Sequence, residues 1–229
     1  DAEELRRREI ERCGKKALDQ GGFQLMLEPI QNIASGKLCG AQAVLCWEDP
    51  TLGAISEREY RPIFERCGLI LRLEEELITQ ASALLGRWQR IGDPLPITVT
   101  LSLLQFSQTD LIDRLTFALE RAGIGPQLLR LQLAGDLQDW GGEAAVRMLR
   151  RLRQEGFQVS GGVQAPRSGS VGIEGDPLWD EIILSPDAFA RPERDDRLAA
   201  LIHLSHTMGQ RVRAVGVREQ REAERLSKA

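Results

Sequence analysis

His203 and His206 are the chain's two histidines, and they stand three residues apart in a stretch with helical spacing. On a helix that spacing turns both imidazoles to one side, where they could share a ligand. Nothing else at metal-binding spacing accompanies them, so they read as ordinary helix residues. The four cysteines, Cys13, Cys39, Cys46 and Cys67, contain no CxxC pair and lie in apolar or helical surroundings. That predicts reduced thiols rather than a disulfide or a metal centre. Asp136, Asp139 and Glu143 read as loop residues and a first-turn charge at a helix start, favoured by the helix dipole. Arg147, Arg150, Arg151 and Arg153 line a helix face, which reads as solvated surface, with a partner-binding stripe as the alternative.

The elements that must position these groups are plain in the pattern. With 229 residues, of which 42% are hydrophobic, the chain suits one large domain with a sizeable core. Lys plus Arg is 30 and Asp plus Glu is 34, giving 30 − 34 = −4, which argues against a domain built to grip nucleic acid. No apolar run approaches a membrane span and no signal peptide is visible, so the expectation is a cytoplasmic location. A start at Asp1 rather than Met predicts a piece of a longer protein.

Residues 1–20 predict a charged linker helix, with Leu5, Ile10, Cys13 and Leu18 along one side. The domain proper is expected over 21–229. Phe23 to Ile30 alternates as a strand after Gly21-Gly22. Gly36 to Pro50 predicts a mostly buried strand, with Leu38, Ala43, Val44, Leu45 and Trp47 apolar. Gly53 to Ser56 reads as a turn ending in an N-cap serine with Glu59 three residues on, a capping box. A helix then runs to Cys67 and stops at Gly68. A second helix over 71–91 carries Trp88 as a core residue. Strands are expected at 96–102, 129–134, 157–163, 181–184 and 211–215, and helices at 109–123, 141–155, 195–209 and 217–227. Such alternation predicts an α/β fold with a parallel sheet, closed as a TIM-like barrel or open and doubly wound. No Gly-x-Gly-x-x-Gly or Walker-type loop follows an early strand to favour the open form.

Gly40-Ala41-Gln42-Ala43-Val44-Leu45-Cys46-Trp47-Glu48-Asp49-Pro50 resembles the signature strand of the EAL family of cyclic-di-GMP phosphodiesterases. That strand has Glu-Ala-Leu, then Leu-Arg-Trp and His-Pro. Gly68-Leu69-Ile70, Val99 with Leu101-Ser102, and Gly216-Val217 with Gln220 extend the likeness from Phe23 to about Leu226. The resemblance implies a TIM-like (β/α) barrel of the EAL type, with the closing Gly-Cys-Asp … Gln-Gly-Tyr strand absent from this chain. It also implies where a two-metal site should stand. Gln42 replaces the signature Glu, and Thr100 the Asn of Asn-Leu-Ser. Gly135 replaces the Glu that ends the next strand, and Gln132 its internal Glu. The Asp pair falls at or next to Gly162 and Val163, the Lys of Lys-Ile-Asp at Ile183 and its Asp at Ser185. Val215 replaces the Glu of Ala-Glu-Gly-Val. Cys46 stands where the family has its phosphate-clamping Arg, and Glu28 where it has a Gln near the ligand. Every metal-binding and proton-transfer position is thus neutral, Glu28 places an anion near the two phosphates, and none of these residues is expected to hold a metal, a cofactor or a catalytic role.

Two phosphates without Arg or metal lose charge-assisted hydrogen bonds of roughly 1.5–3 kcal/mol each. The expectation is a catalytically inactive, degenerate EAL-like regulatory domain of a bacterial signalling protein that acts through another protein or a second copy of itself. Cyclic di-GMP is not expected to bind. The alternative is a non-hydrolysing cyclic-di-GMP receptor. The candidate contact surfaces are the helices flanking the signature strand, Arg150 with Arg151, and the 164–175 loop.

Overall fold

The apolar alternation of the signature stretch becomes a strand of 12 residues, β2 (Leu38–Asp49), with Ala41, Ala43, Leu45 and Trp47 buried on one face. The structure, a computed structural model, describes residues 2–92, 94–136, 140, 142–163, 178–189 and 195–228. The loop expected over 164–175, with Pro166–Ser170 inside it, lies outside the described residues, as does Asp139. The chain divides into two compact units, Asp1–Ile30 with Cys39–Leu129, and Gln31–Leu38 with Arg130–Ala229.

The first unit holds α1 (Ala2–Gln20), β1 (Phe23–Gln31), most of β2, β3 (Gly53–Ile55), α2 (Glu57–Cys67), α3 (Leu69–Ile91), β4 (Ile97–Leu101), α4 (Leu103–Phe106) and α5 (Leu111–Ala122). β1 neighbours β2 in the sheet, and β2 runs parallel to β4 with Ala41 opposite Ile97. The segment expected as a turn pairs instead: β3 folds back antiparallel on β2, with Trp47 opposite Ile55. Its short extended run completes a ladder that the turn residues around Asp49 begin, where the Asp49 carboxylate accepts the Thr51 and Leu52 N–H groups. Ser56 caps α2 by position, yet its side chain makes no cap hydrogen bond, so the capping box is present in sequence and unmade in the fold. Gly68, at φ 78°, ends α2 in the left-handed conformation and turns the chain straight into α3.

Phe23, Trp47, Tyr60 and Phe64 form the centre of this unit, with ring centroids 5.3 to 6.3 Å apart. The α1 helix lies on it through buried Ile10 and Cys13, with ion pairs Arg6–Glu59 at 2.6 Å and Arg72–Asp19 at 2.7 Å at its ends.

The second unit strings β5 (Leu129–Asp136), β6 (Val159–Val163), β7 (Glu181–Leu184) and β8 (Arg211–Ala214) into parallel pairs. Between and after them lie α6 (Glu143–Gln154), α7 (Pro186–Phe189), α8 (Asp195–Thr207) and α9 (Gln220–Lys228). Its core is Leu131, Leu133, Val159, Ile182 and Leu184, with Leu149 and Leu152 of α6. Among the described residues no helix is long and apolar enough to cross a membrane.

Candidate functional site

In a parallel α/β fold the C-terminal ends of the strands, and the loops leaving them, are where chemistry is placed. The residues that the sequence marks divide between the units: Glu28, Gln42, Cys46 and Thr100 in the first, Gly135, Gly162, Val163, Ile183 and Val215 in the second.

In the first unit, alternation along β2 puts Gln42 and Cys46 on the face opposite the aromatic core. Gln42 is half-buried, and its Nε2 donates to Thr100 Oγ1 at 3.2 Å across the β2–β4 pair. Two neutral groups thus satisfy one another where the resemblance puts a Glu and an Asn. Cys46 and Glu28 are exposed.

What fixes this end of the unit is a network the sequence does not announce. Glu74 of α3 is buried, and its Oε1 accepts the Ser102 N–H at 2.9 Å while Oε2 accepts the Ser102 hydroxyl at 2.9 Å. Arg61 of α2 donates to the same Oε1 at 3.0 Å and to Glu57 at 2.8 Å. Burial pushes the Glu74 carboxyl up, against the downward pull of Arg61 and the Ser102 hydrogen bonds. Tyr60 donates to the Leu45 carbonyl at 2.7 Å, and burial pushes its phenol up as well.

In the second unit the strand ends are shaped by backbone. Gly135 has φ 92°, and the β5–β6 register shifts between Leu133 and Asp136, so β5 carries an irregularity there. Its carbonyl oxygen would lie 2.8 Å from a Cβ built on Gly162. Real Cβ atoms do not come so close to a backbone oxygen, so a side chain at position 162 requires Gly135 to move. Val163 and Ile183 are buried and apolar, and Val215 is half-buried. Register brings Gly162, Ile183 and Arg213 side by side on β6, β7 and β8.

Arg213 was not singled out by sequence, and it carries the charge of this end. It is 8% exposed, its Nη2 donates to Gln132 at 2.8 Å, and its Nε lies 3.2 Å from Glu181. Glu181 also lies 3.7 Å from Arg211. Its carboxylate is committed to arginines. The signal was an Arg and a Glu at alternating positions of two otherwise apolar strands, a pairing that only the β7–β8 register makes visible. Asp136, expected in a loop, is instead the last residue of β5 and stands opposite Gly162. The shift at Gly135 draws it into the strand.

Among the described residues no three His, Cys, Asp or Glu side chains gather as a metal site. His203 and His206 lie on α8, both exposed.

The EAL domain family matches residues 14–160, and the chain belongs to that family. MucR of Pseudomonas aeruginosa, a bifunctional diguanylate cyclase/cyclic di-GMP phosphodiesterase, is 29% identical over 147 residues, 64% of this chain and 22% of MucR. The MucR phosphodiesterase in complex with c-di-GMP has the same fold, with TM-score 0.81 and 23% identity over 96% of this chain and 91% of that one. The FimX EAL domain of Xanthomonas citri in complex with c-diGMP gives TM-score 0.81 at 20% identity, over 99% and 90% of the two chains. The fold is therefore α/β of the TIM-like EAL type. The chain spans 23%, 27% and 22% of the length of three curated relatives it matches and 48% of three others, half or less in each case.

Proposed function

We propose that this is a non-hydrolysing EAL domain which serves cyclic-di-GMP signalling through protein contacts, without binding the dinucleotide. The observation that carries it is the closure at Gly135 and Gly162. At Gly162, where the family resemblance puts an Asp, the Gly135 carbonyl oxygen occupies the space a side chain would need, and at Gly135, where it puts a Glu, the backbone is in the left-handed region that disfavours a side chain. Gln42 paired with Thr100, and Glu181 held by Arg213, support the same reading, since neither leaves an anionic cluster to neutralise a divalent cation. Cys46 offers no bidentate phosphate contact. In this reading residues 1–20 link the domain and residues 21–229 form it.

The test is calorimetric titration of the protein with cyclic di-GMP, with and without magnesium, beside a hydrolysis assay with magnesium or manganese. The expected result is no linear product above a no-protein control and no saturable heat. Turnover overturns the reading. Binding at micromolar concentration without turnover replaces it with a receptor. Asp136→Asn is the control for any trace of turnover, because Asp136 is the acid that stands opposite Gly162.

A further inference from the structure

α1 packs on α2 and α3 through a narrow face. Ile10, Cys13 and Gly14 are buried, while Glu11, Arg12, Lys15 and Lys16 around the helix are exposed. A Cβ built on Gly14 would meet Phe64 Cζ at 2.2 Å, so the helix backbone rests on that ring. Phe64 has no room to turn aside, because Phe23, Trp47 and Tyr60 surround it with ring centroids 5.4 to 6.2 Å away. The rest of the seat is two half-exposed ion pairs, Arg6–Glu59 and Arg72–Asp19, of the kind that water screens.

The helix beneath α1 is also the one that holds the strand ends. On α2, Glu59 and Phe64 meet α1, and Tyr60 donates to the Leu45 carbonyl of β2. Arg61, next in sequence, donates to Glu74, which binds the N–H and hydroxyl of Ser102 at the start of α4. The ends of α2 itself are loosely fastened. Ser56 makes no side-chain cap, and Gly68 links α2 to α3 through one left-handed residue. Its seat is therefore set by its neighbours, with α1 on one side and Glu74 on the other.

We propose that α1 is a releasable clamp. It leaves Phe64 while the rest of its unit stays folded, and its seating sets how firmly Arg61 and Glu74 hold Ser102 and the first turn of α4. Such coupling is reciprocal, so weakening Glu74 also loosens α1. Among the described residues no hydrogen bond or ion pair joins Glu74 to α1, which makes that effect a specific mark of the clamp. The proposal adds a control element to the domain, and it stands whether or not the domain cuts or binds the dinucleotide.

Cys13 lies on the seated face, so its thiol reports release. In the full chain carrying Cys39→Ser, Cys46→Ser and Cys67→Ser it is the remaining thiol, and its rate of reaction with an aromatic disulfide reagent measures the opening of α1. The same background with Cys13→Ala and Ser82→Cys places a thiol at a buried position of α3 and measures the opening of the whole unit. Cys13 is expected to react at least about tenfold faster than the Ser82→Cys thiol. Arg6→Gln with Asp19→Asn, both exposed, should speed Cys13 about threefold or more. Glu74→Gln should speed it about fivefold or more, with Cys13 still ahead of the Ser82→Cys thiol in the same variant. Ser102→Ala, which removes one hydrogen bond of the network, should act in the same direction and serves if Glu74→Gln does not fold. Equal rates for Cys13 and the Ser82→Cys thiol would mean that α1 opens only with its unit, and would overturn the proposal. So would a Cys13 rate that Glu74→Gln and Ser102→Ala leave unchanged.

Discussion

Glu74 shows how much one side chain can hold here. Its two oxygens take the Ser102 N–H, the Ser102 hydroxyl and an Arg61 N–H, so α2, α3 and the end of β4 meet at a single carboxylate. Removing one partner of a buried charge pair costs about 3–5 kcal/mol, because the other is left without compensation. Glu74→Ala is expected to lower stability by about that amount, read from urea unfolding. The pH dependence is separate. Burial raises the Glu74 carboxyl on folding, so the folded chain binds its proton more tightly than the unfolded chain. Its contribution is fully present below the unfolded carboxyl's value and is lost as pH rises through the folded one. Stability should therefore fall with pH across that window in the native protein. The Glu74→Gln variant should flatten that fall. An equal slope in both proteins would assign the effect to other groups.

At the scale of elements, periodicity located most helices and strands, because burial of one face is a local pattern. Gly68 and Gly123 ended α2 and α5 as expected, since only a residue without Cβ takes the left-handed cap at no cost. What pattern could not supply was pairing. β3 exists because Gly53–Ile55 finds β2, and Trp88 lies at a surface because of where α3 meets β1. α4, four residues long and capped by the Ser102 hydroxyl on the Gln105 N–H, is too short to show a period. Close helix contact was equally hidden. Gly86 of α3 faces α5, where an added Cβ would meet the Ala122 carbonyl oxygen at 2.5 Å. Helix propensity alone favours Gly86→Ala by about 1 kcal/mol. Overpacking against a backbone atom costs about 1–3 kcal/mol and should win. The variant is expected to be less stable in urea. A gain of stability would mean that α3 and α5 separate easily.

For the whole molecule, the family frame was legible because Gly, Pro and Trp positions serve the fold. That the marked positions hold neutral residues was legible too, residue by residue. What surrounds them was not, since it differs between the units. In the first, Gln42 and Thr100 are side chains in mutual contact, and a carboxylate at position 42 could accept from the rotatable Thr100 hydroxyl. In the second, the change is written into the backbone, at Gly135 with φ 92° and at Gly162 against the Gly135 carbonyl. Restoration should therefore be asymmetric. Gln42→Glu with Thr100→Asn is expected to fold with a loss of about 1 kcal/mol or less. Gly135→Glu with Gly162→Asp meets a left-handed backbone costing about 1–2 kcal/mol and an overpacked contact costing about 1–3. Together these predict a loss of several kcal/mol in unfolding experiments. Neither pair, nor all four changes at once, is expected to produce hydrolysis of cyclic di-GMP, since Ile183 and Val215 remain apolar and Glu181 stays committed to Arg213. If the fourfold variant unfolds at the native urea midpoint and cuts the dinucleotide, the strand ends were only short of acids. The proposal that this domain is non-hydrolysing, and its backbone account, would then be wrong.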